Sequence, residues 1–517
     1  MKVLFIYPNA QGYGRIPLGL SILITLLLKE GHDVELFDTT FILTAANNDN
    51  LIREKAGVAI PVDTSDIYDP HSAEEVDDLL RVKIKLFKPE LVGISIVEDN
   101  YQYADRLLSV TRQIGPKITI IAGGTTPTVA PEVIIKNPNI DYLIKGEAEE
   151  SLVEFCEKME NNLPVENIPN LWYMDKDQVK SNPIRPFVNL GQLPPQNLDL
   201  WDERHYTKVY DGRIYQTGYF ELSRGCTQKC TYCVNETYQR VLEDSGKYTR
   251  KKSIESSINE IKQLKEKYNY ELIFFCDDNF MYMNPTRITE FVSAWKKEIN
   301  LPFWINTTIE SLNPKRLAFL KEANCIGIGI GVESGSEWLR QNILGRRLTN
   351  KAILKGFEMI HDAGIRTTGN TMLGFPGEYE GDIYETFKYI KKLNPDSTDV
   401  SFVAPYVGTP IHEICNNLGY LETWDKPGFE GMVKDISYRQ YSTINSPLVS
   451  HERLIELYYS FMDHVVGKKP IPAKYKNKFP GSDDTAPPRG NLSIEVADAM
   501  YKTGTSGVRS IVNRLAA

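Results

Sequence analysis

Short runs rich in β-branched and aromatic residues alternate with helical runs over two long tracts of this chain, and that alternation leaves few folds open. In the first tract the strand-like runs are residues 3–7, 34–37, 91–96, 118–122 and 142–144. Helical patterns fill 18–29, 73–86, 101–113 and 131–136 between them. Such an order predicts a parallel sheet covered by helices on both faces. Gly31 closes the first helical run, where a positive φ is needed to leave the helix. A second alternating tract begins near residue 217, with runs at 217–223, 272–276, 303–307, 326–332, 367–373 and 399–403. Six strand–helix units suit a barrel or partial barrel, with its chemistry at the C-terminal ends of the strands.

The expected fold is therefore α/β in four parts. A doubly wound, Rossmann-like domain covers 1–160, a proline-rich linker 161–215, a partial (β/α)6 barrel 216–405 and a mostly helical extension 406–517. The Asp-rich stretch from Pro61 to Pro70 reads as a mobile loop. The longest apolar run, residues 18–28, is broken by Gly19, Ser21 and Thr25 and is too short for a membrane span. The first residues lack the features of a signal peptide, so a cytoplasmic protein is expected. A net charge of −9 with no long basic run argues against nucleic acid as the main partner. Lys247 to Lys252 is the nearest approach to a basic patch and reads as a solvated loop.

Seven cysteines in 517 residues do not make a disulfide framework, but three of them fall within eight residues. The segment reads Ser223-Arg224-Gly225-Cys226-Thr227-Gln228-Lys229-Cys230-Thr231-Tyr232-Cys233. Three thiolates at spacings of four and three can converge on one iron–sulfur cubane and leave its fourth iron open. Structural zinc would want a fourth ligand, for which only His205 or Cys276 could approach in space.

A Cys-x-x-x-Cys-x-aromatic-Cys loop behind the first strand of a six-unit barrel resembles the radical S-adenosylmethionine (SAM) enzymes, with Tyr232 in the aromatic position. The resemblance implies a 4Fe–4S cluster on Cys226, Cys230 and Cys233, with SAM on the open iron as the source of a 5′-deoxyadenosyl radical. Later strand ends follow suit at Cys276-Asp277-Asp278-Asn279, Gly329-Ile330-Gly331-Val332-Glu333-Ser334 and Leu373-Gly374-Phe375-Pro376-Gly377-Glu378. By resemblance, Glu333 and Ser334 would contact SAM, and Asp277 and Asp278 would contact SAM or face substrate.

In the first domain the turn Pro8-Asn9-Ala10-Gln11-Gly12-Tyr13-Gly14-Arg15 does not match a dinucleotide fingerprint. The chain is similar instead to the cobalamin-binding branch of the radical enzymes, which includes the anaerobic cyclases and class B methyltransferases. Pro17 and Gly19 open the first helix, Ser95 ends the third strand, Gly123, Gly124 and Thr126 end the fourth, and Gly146 and Glu147 follow the fifth. Glycines there let a backbone approach a flat, bulky ligand. No Asp-x-His-x-x-Gly motif is present, so cobalt without a lower histidine is expected.

Both cofactor signatures in one chain imply methylation of an unactivated carbon through methylcobalamin and a 5′-deoxyadenosyl radical. Ring formation or rearrangement without net methylation is the alternative, and a non-catalytic cobalamin and iron–sulfur sensor a third reading. The implied partners are a small-molecule, lipid-precursor or peptide substrate and a flavodoxin- or ferredoxin-type reductant.

Overall fold

The computed structural model describes residues 1–9, 16–42, 49–61, 67–426 and 428–476. Most of the turn that begins at Pro8, part of the Asp-rich stretch and all of 477–517 therefore lie outside the described residues. Among the described residues no helix is long and apolar enough to cross a membrane.

The first tract forms the expected sheet. Its strands are β1 (Lys2–Tyr7), β2 (Asp33–Asp38), β3 (Leu91–Ser95), β4 (Thr119–Gly123) and β5 (Tyr142–Ile144), in spatial order β2-β1-β3-β4-β5 and all parallel. Leu4, Ile6, Val92, Ile94 and Ile120 are buried on one face, and Val3, Phe5, Leu91 and Ile121 on the other. Burial on both faces explains why these strands read as continuous apolar runs rather than as alternating ones.

The proline-rich segment is more regular than its sequence predicts. It supplies the hairpin β6 (Leu171–Asp175) and β7 (Gln178–Ser181), which adds antiparallel to β5 with Tyr142 opposite Tyr173. It also supplies β8 (Thr207–Tyr210), antiparallel to the first barrel strand. These strands are too short to show periodicity among so many prolines, and β7 and β8 occupy sheet edges, where proline is tolerated nearby.

The second sheet contains β9 (Arg213–Phe220) and, after the short antiparallel pair β10 (Ser223–Arg224) and β11 (Arg250–Lys251), four further strands plus a last one. These are β12 (Leu272–Phe275), β13 (Phe303–Thr307), β14 (Cys325–Glu333), β15 (Arg366–Leu373) and β16 (Ser397–Phe402). The order β16-β15-β14-β13-β12-β9 is parallel throughout, as a partial barrel requires. Behind it Phe275, Phe291, Trp295 and Phe303 pack ring to ring, with Trp295 and Phe303 at 5.0 Å. On the inner face of β14 glycine is a steric necessity: a Cβ at Gly327 would fall 2.0 Å from Trp304, and one at Gly329 2.3 Å from Asn306.

The described part of the C-terminal extension carries helices Pro410–Asn417, His451–Tyr459, Phe461–Val465 and Ala473–Lys476, with an irregular stretch after the first whose bridges include Leu421 to Ile444. This stretch ties the first domain to the barrel. Glu98, just past β3, accepts from the backbone N–H groups of Val407 at 2.6 Å and Val433 at 3.4 Å. Tyr406 donates to Asp99 at 3.0 Å, and Tyr101 to the Gly428 carbonyl.

Candidate active site

The three-cysteine loop leaves the barrel beyond β9 and is pinned from below by two carboxylates. Asp277 accepts from the Leu222 N–H at 3.0 Å and the Ser223 hydroxyl at 2.5 Å. Asp278 accepts from the Gly225 N–H at 3.0 Å and from Asn235 Nδ2 at 2.7 Å, while Tyr248 donates to Asn235 Oδ1. Both ends of the loop are thus fastened to the end of β12. Burial pushes the Asp277 carboxyl up to about 7 and that of Asp278 up as well. The sequence reading put these aspartates against SAM or substrate; the structure turns their oxygens to the loop. Gly225 is held at φ +92°, and a Cβ there would fall 2.8 Å from the Tyr248 carbonyl.

Cys226, Cys230 and Cys233 project from this loop. The Gln228 N–H lies 3.4 Å from Cys226 Sγ and Asn235 Nδ2 lies 3.7 Å from Cys233 Sγ, contacts that favour thiolates. Burial opposes ionisation, pushing Cys230 up to about 12 and Cys233 up to about 11, so these thiols stay protonated unless a cation binds them. Among the described residues no three His, Cys, Asp or Glu side chains are gathered closely enough to hold a metal ion, the three cysteines of the loop included. His205 is occupied by Asp38 at 2.6 Å, and Cys276 packs with Leu18, Tyr219, Phe274 and Trp304.

Tyr232, in the aromatic position, donates to Glu333 Oε1 at 2.8 Å. Arg346 donates to the same oxygen at 2.8 Å, making a buried ion pair. Glu333 stands at φ +66°, where β14 shifts register against β15. A non-glycine residue held there by two partners is a strained position of the kind that collects at functional sites. Ser334 turns away: its hydroxyl is 3.3 Å from Thr386 Oγ1 and accepts from the Ser336 N–H. Arg346 escaped the sequence reading because it belongs to no strand-end motif. Glu378 folds back on its own turn, accepting from the N–H groups of Gly374 and Phe375.

The strand ends of the first sheet face this loop. Helix Thr125–Val129 packs against helix Val234–Val241, which the third cysteine begins. Gly124 has φ +109°, and a Cβ would fall 2.8 Å from the Ile96 carbonyl and 3.2 Å from Ser95 Oγ. Gly123 and Gly19 are different, since a Cβ at either meets no atom of the described residues within 4 Å. Pro17 caps the helix that carries Gly19. Thr126 is buried, its N–H donating to the Ile96 carbonyl at 3.2 Å, and Thr128 Oγ1 accepts from the Gly146 N–H at 3.1 Å.

Glu147, expected beside the cobalamin, is taken up by arginines of the barrel. Arg224 donates to its Oε1 at 3.0 Å, and Arg250 engages both of its oxygens. Arg224 also donates to Glu149 and Glu221, each under 3 Å. The supposed solvated basic loop is therefore corrected: Arg250 sits in this network, and Lys252 is buried against Glu260 at 2.8 Å. The carboxylates that meet this positive charge come from both domains, Glu147 and Glu149 from the first and Glu221 and Glu260 from the barrel.

Comparison with known proteins agrees with this geometry. Residues 12–156 match the B12 binding domain and residues 220–390 the radical SAM superfamily. The chain joins a B12-binding domain to a radical SAM domain. It is 26% identical to an uncharacterized methyltransferase of Pyrococcus horikoshii over 438 residues, covering 82% of this chain and 86% of that one. It is 23% identical to the cytidylyl-2-hydroxyethylphosphonate methyltransferase of Streptomyces wedmorensis over 505 residues, 89% of each chain. In fold it is similar to the radical SAM methyltransferase TsrM of Kitasatospora setae, with a TM-score of 0.62, 17% identity and coverage of 91% and 89%.

The residues present fit the cofactors of these two domains. Three thiols on one braced loop suit a radical SAM cluster, and the strained Glu333 beside Tyr232 suits a neighbouring ligand. In the B12-binding domain, open space over Gly19 and Gly123 suits a flat macrocycle. His32, at the opposite end of the sheet before β2, lies by the chain's amino group and Glu160, away from that edge.

Proposed function

We propose that this radical SAM enzyme methylates an unactivated carbon of a small-molecule, lipid-precursor or peptide substrate. The observation that carries the reading is the contact of Glu147 with Arg224, which brings the edge of the B12-binding domain onto the cluster loop. Methyltransferases similar over most of the chain support the reading.

When bound, the cluster with SAM supplies hydrogen abstraction and cobalamin supplies the methyl group. The chain's own residues do the rest. Cys226, Cys230 and Cys233 would hold the cluster, and Asp277 and Asp278 keep their loop in place. Glu333, oriented by Tyr232 and Arg346, would hold a polar group of SAM. Pro17, Gly19, Ser95, Gly123, Gly124, Thr126 and Gly146 would shape the cobalamin edge, with Glu147 as its tie to the barrel. The reading includes a cytoplasmic enzyme drawing electrons from a flavodoxin- or ferredoxin-type protein.

The test is anaerobic reconstitution with iron, sulfide and cobalamin, followed by SAM and a strong reductant. Retained corrinoid, with 5′-deoxyadenosine formed by the wild type but not by a Cys226→Ala, Cys230→Ala, Cys233→Ala triple variant, is the expected result. Deoxyadenosine without corrinoid would overturn methyl transfer. So would a product lighter by two hydrogens rather than heavier by one methylene.

A further inference from the structure

The inner face of β16 carries a charged cluster separate from the loop and the Glu333 pair. Thr398, Val400 and Phe402 are buried on the helix side, so Asp399, between Thr398 and Val400, faces the barrel interior. Its register partner on β15 is Asn370, itself opposite Gly331 of β14, which places Asp399 near the level of Glu333. Arg439 reaches in from the C-terminal extension and donates to both carboxylate oxygens, at 2.9 and 2.7 Å. Arg53 comes from helix Asp49–Lys55 of the B12-binding domain, with its Nε 3.5 Å from Asp399 Oδ1. That buried Nε makes no hydrogen bond to the described residues. Across the interior, Tyr219, Phe274, Cys276 and Trp304 form an apolar wall capped by Leu18.

Two guanidiniums thus share one carboxylate, which Arg439 alone already satisfies. A second, partly buried cation costs desolvation and returns little to folding unless an anion joins it. Guanidinium groups suit carboxylate and phosphoryl oxygens, which accept several N–H bonds in a plane. We propose that Arg53, Arg439 and Asp399 form an anion subsite inside the barrel that takes a carboxylate or phosphoryl group of the substrate. The apolar body of that substrate lies against Tyr219, Phe274 and Trp304. Asp399 sets the spacing of the two arginines and, by its own charge, keeps the subsite from holding free anions tightly. The inference rests on the reading of this barrel as the substrate-bearing one.

Inorganic phosphate and acetate, titrated separately into the reconstituted holoenzyme by calorimetry, test the subsite. Arg53→Gln is expected to weaken binding of the anion that fits by about tenfold, and Asp399→Asn to tighten it by about tenfold, because each changes the local charge by one. Opposite shifts in the two variants support the subsite. A stronger response to phosphate points to a phosphoryl substrate, and one to acetate to a carboxylate. Affinities equal across wild type, Arg53→Gln and Asp399→Asn, or no binding of either anion, overturn it. Thermal melts confirm that the variants fold, and Arg53→Lys, which keeps the charge, should stay within about threefold of wild type. Deoxyadenosine formation is followed on the same wild-type sample. Its absence would remove the functional reading while the titrations still decide the subsite.

Discussion

Arg224, just ahead of the first cysteine of the cluster loop, donates to Glu147 of the B12-binding domain at 3.0 Å. The same guanidinium reaches Glu149 and Glu221, so one side chain closes the domain junction and anchors the loop. Replacing it with methionine would leave three largely buried carboxylates without a shared cation. Arg224→Met is expected to lower stability by about 3–5 kcal/mol in urea unfolding, the range for a broken buried pair. Iron content after reconstitution should fall with it. Unchanged unfolding and full iron content would show that the network does not hold the loop.

Arg346 fixes the carboxylate of Glu333, and Tyr232 shares the work. Arg346→Gln removes the charge partner and is expected to weaken SAM binding by about tenfold or more, an electrostatic loss in a buried place. Tyr232→Phe removes one hydrogen bond and should cost about 1 kcal/mol. Equilibrium binding of SAM to the reconstituted enzyme, read beside deoxyadenosine yield, checks both. An Arg346→Gln variant that binds SAM as the wild type does would place the cofactor elsewhere.

The adjacent glycines of β4 separate folding from ligand binding. A methyl at Gly124 meets the Ile96 carbonyl at a backbone angle reserved for glycine. Gly124→Ala should destabilise the chain by about 2 kcal/mol. Gly123→Ala meets no atom of the described residues and should leave the thermal melt of the cofactor-free protein in place while reducing retained corrinoid. Corrinoid absorbance after gel filtration decides the second point, and equal retention would move the macrocycle off this edge.

Glu98 gives a pH dependence with a definite sign. Burial raises its carboxyl from 4.5 to about 8, so the folded chain holds a proton that the unfolded chain releases. Its contribution is therefore complete below 4.5 and is lost as pH climbs toward 8. Melting temperatures of wild type should fall through that window more steeply than those of Glu98→Gln, which has no proton to lose. Parallel curves would show that the carboxyl is not held protonated.

Much of the architecture was legible because it is local. Strand and helix positions follow from apolar runs and their capping residues, as at Ser253 ahead of helix Ile254–Tyr268, where the serine side chain accepts the Ser256 N–H. The cysteine loop was legible for the same reason, since its ligand set lies within eight residues. Strands β6, β7 and β8 were not, being short and set among prolines whose placement depends on a sheet to join.

By itself the sequence determined the two parallel sheets, their order and the donor set of three thiols, all properties carried by spacing along one stretch of chain. Only the tertiary structure decided what the charges do. Glu147 meets Arg224 across 77 residues, Glu333 meets Arg346 in a register-shifted bend, and Arg53 meets Asp399 from the other domain. A charged side chain carries no periodicity that names its partner, and burial selects that partner only when distant elements have packed together.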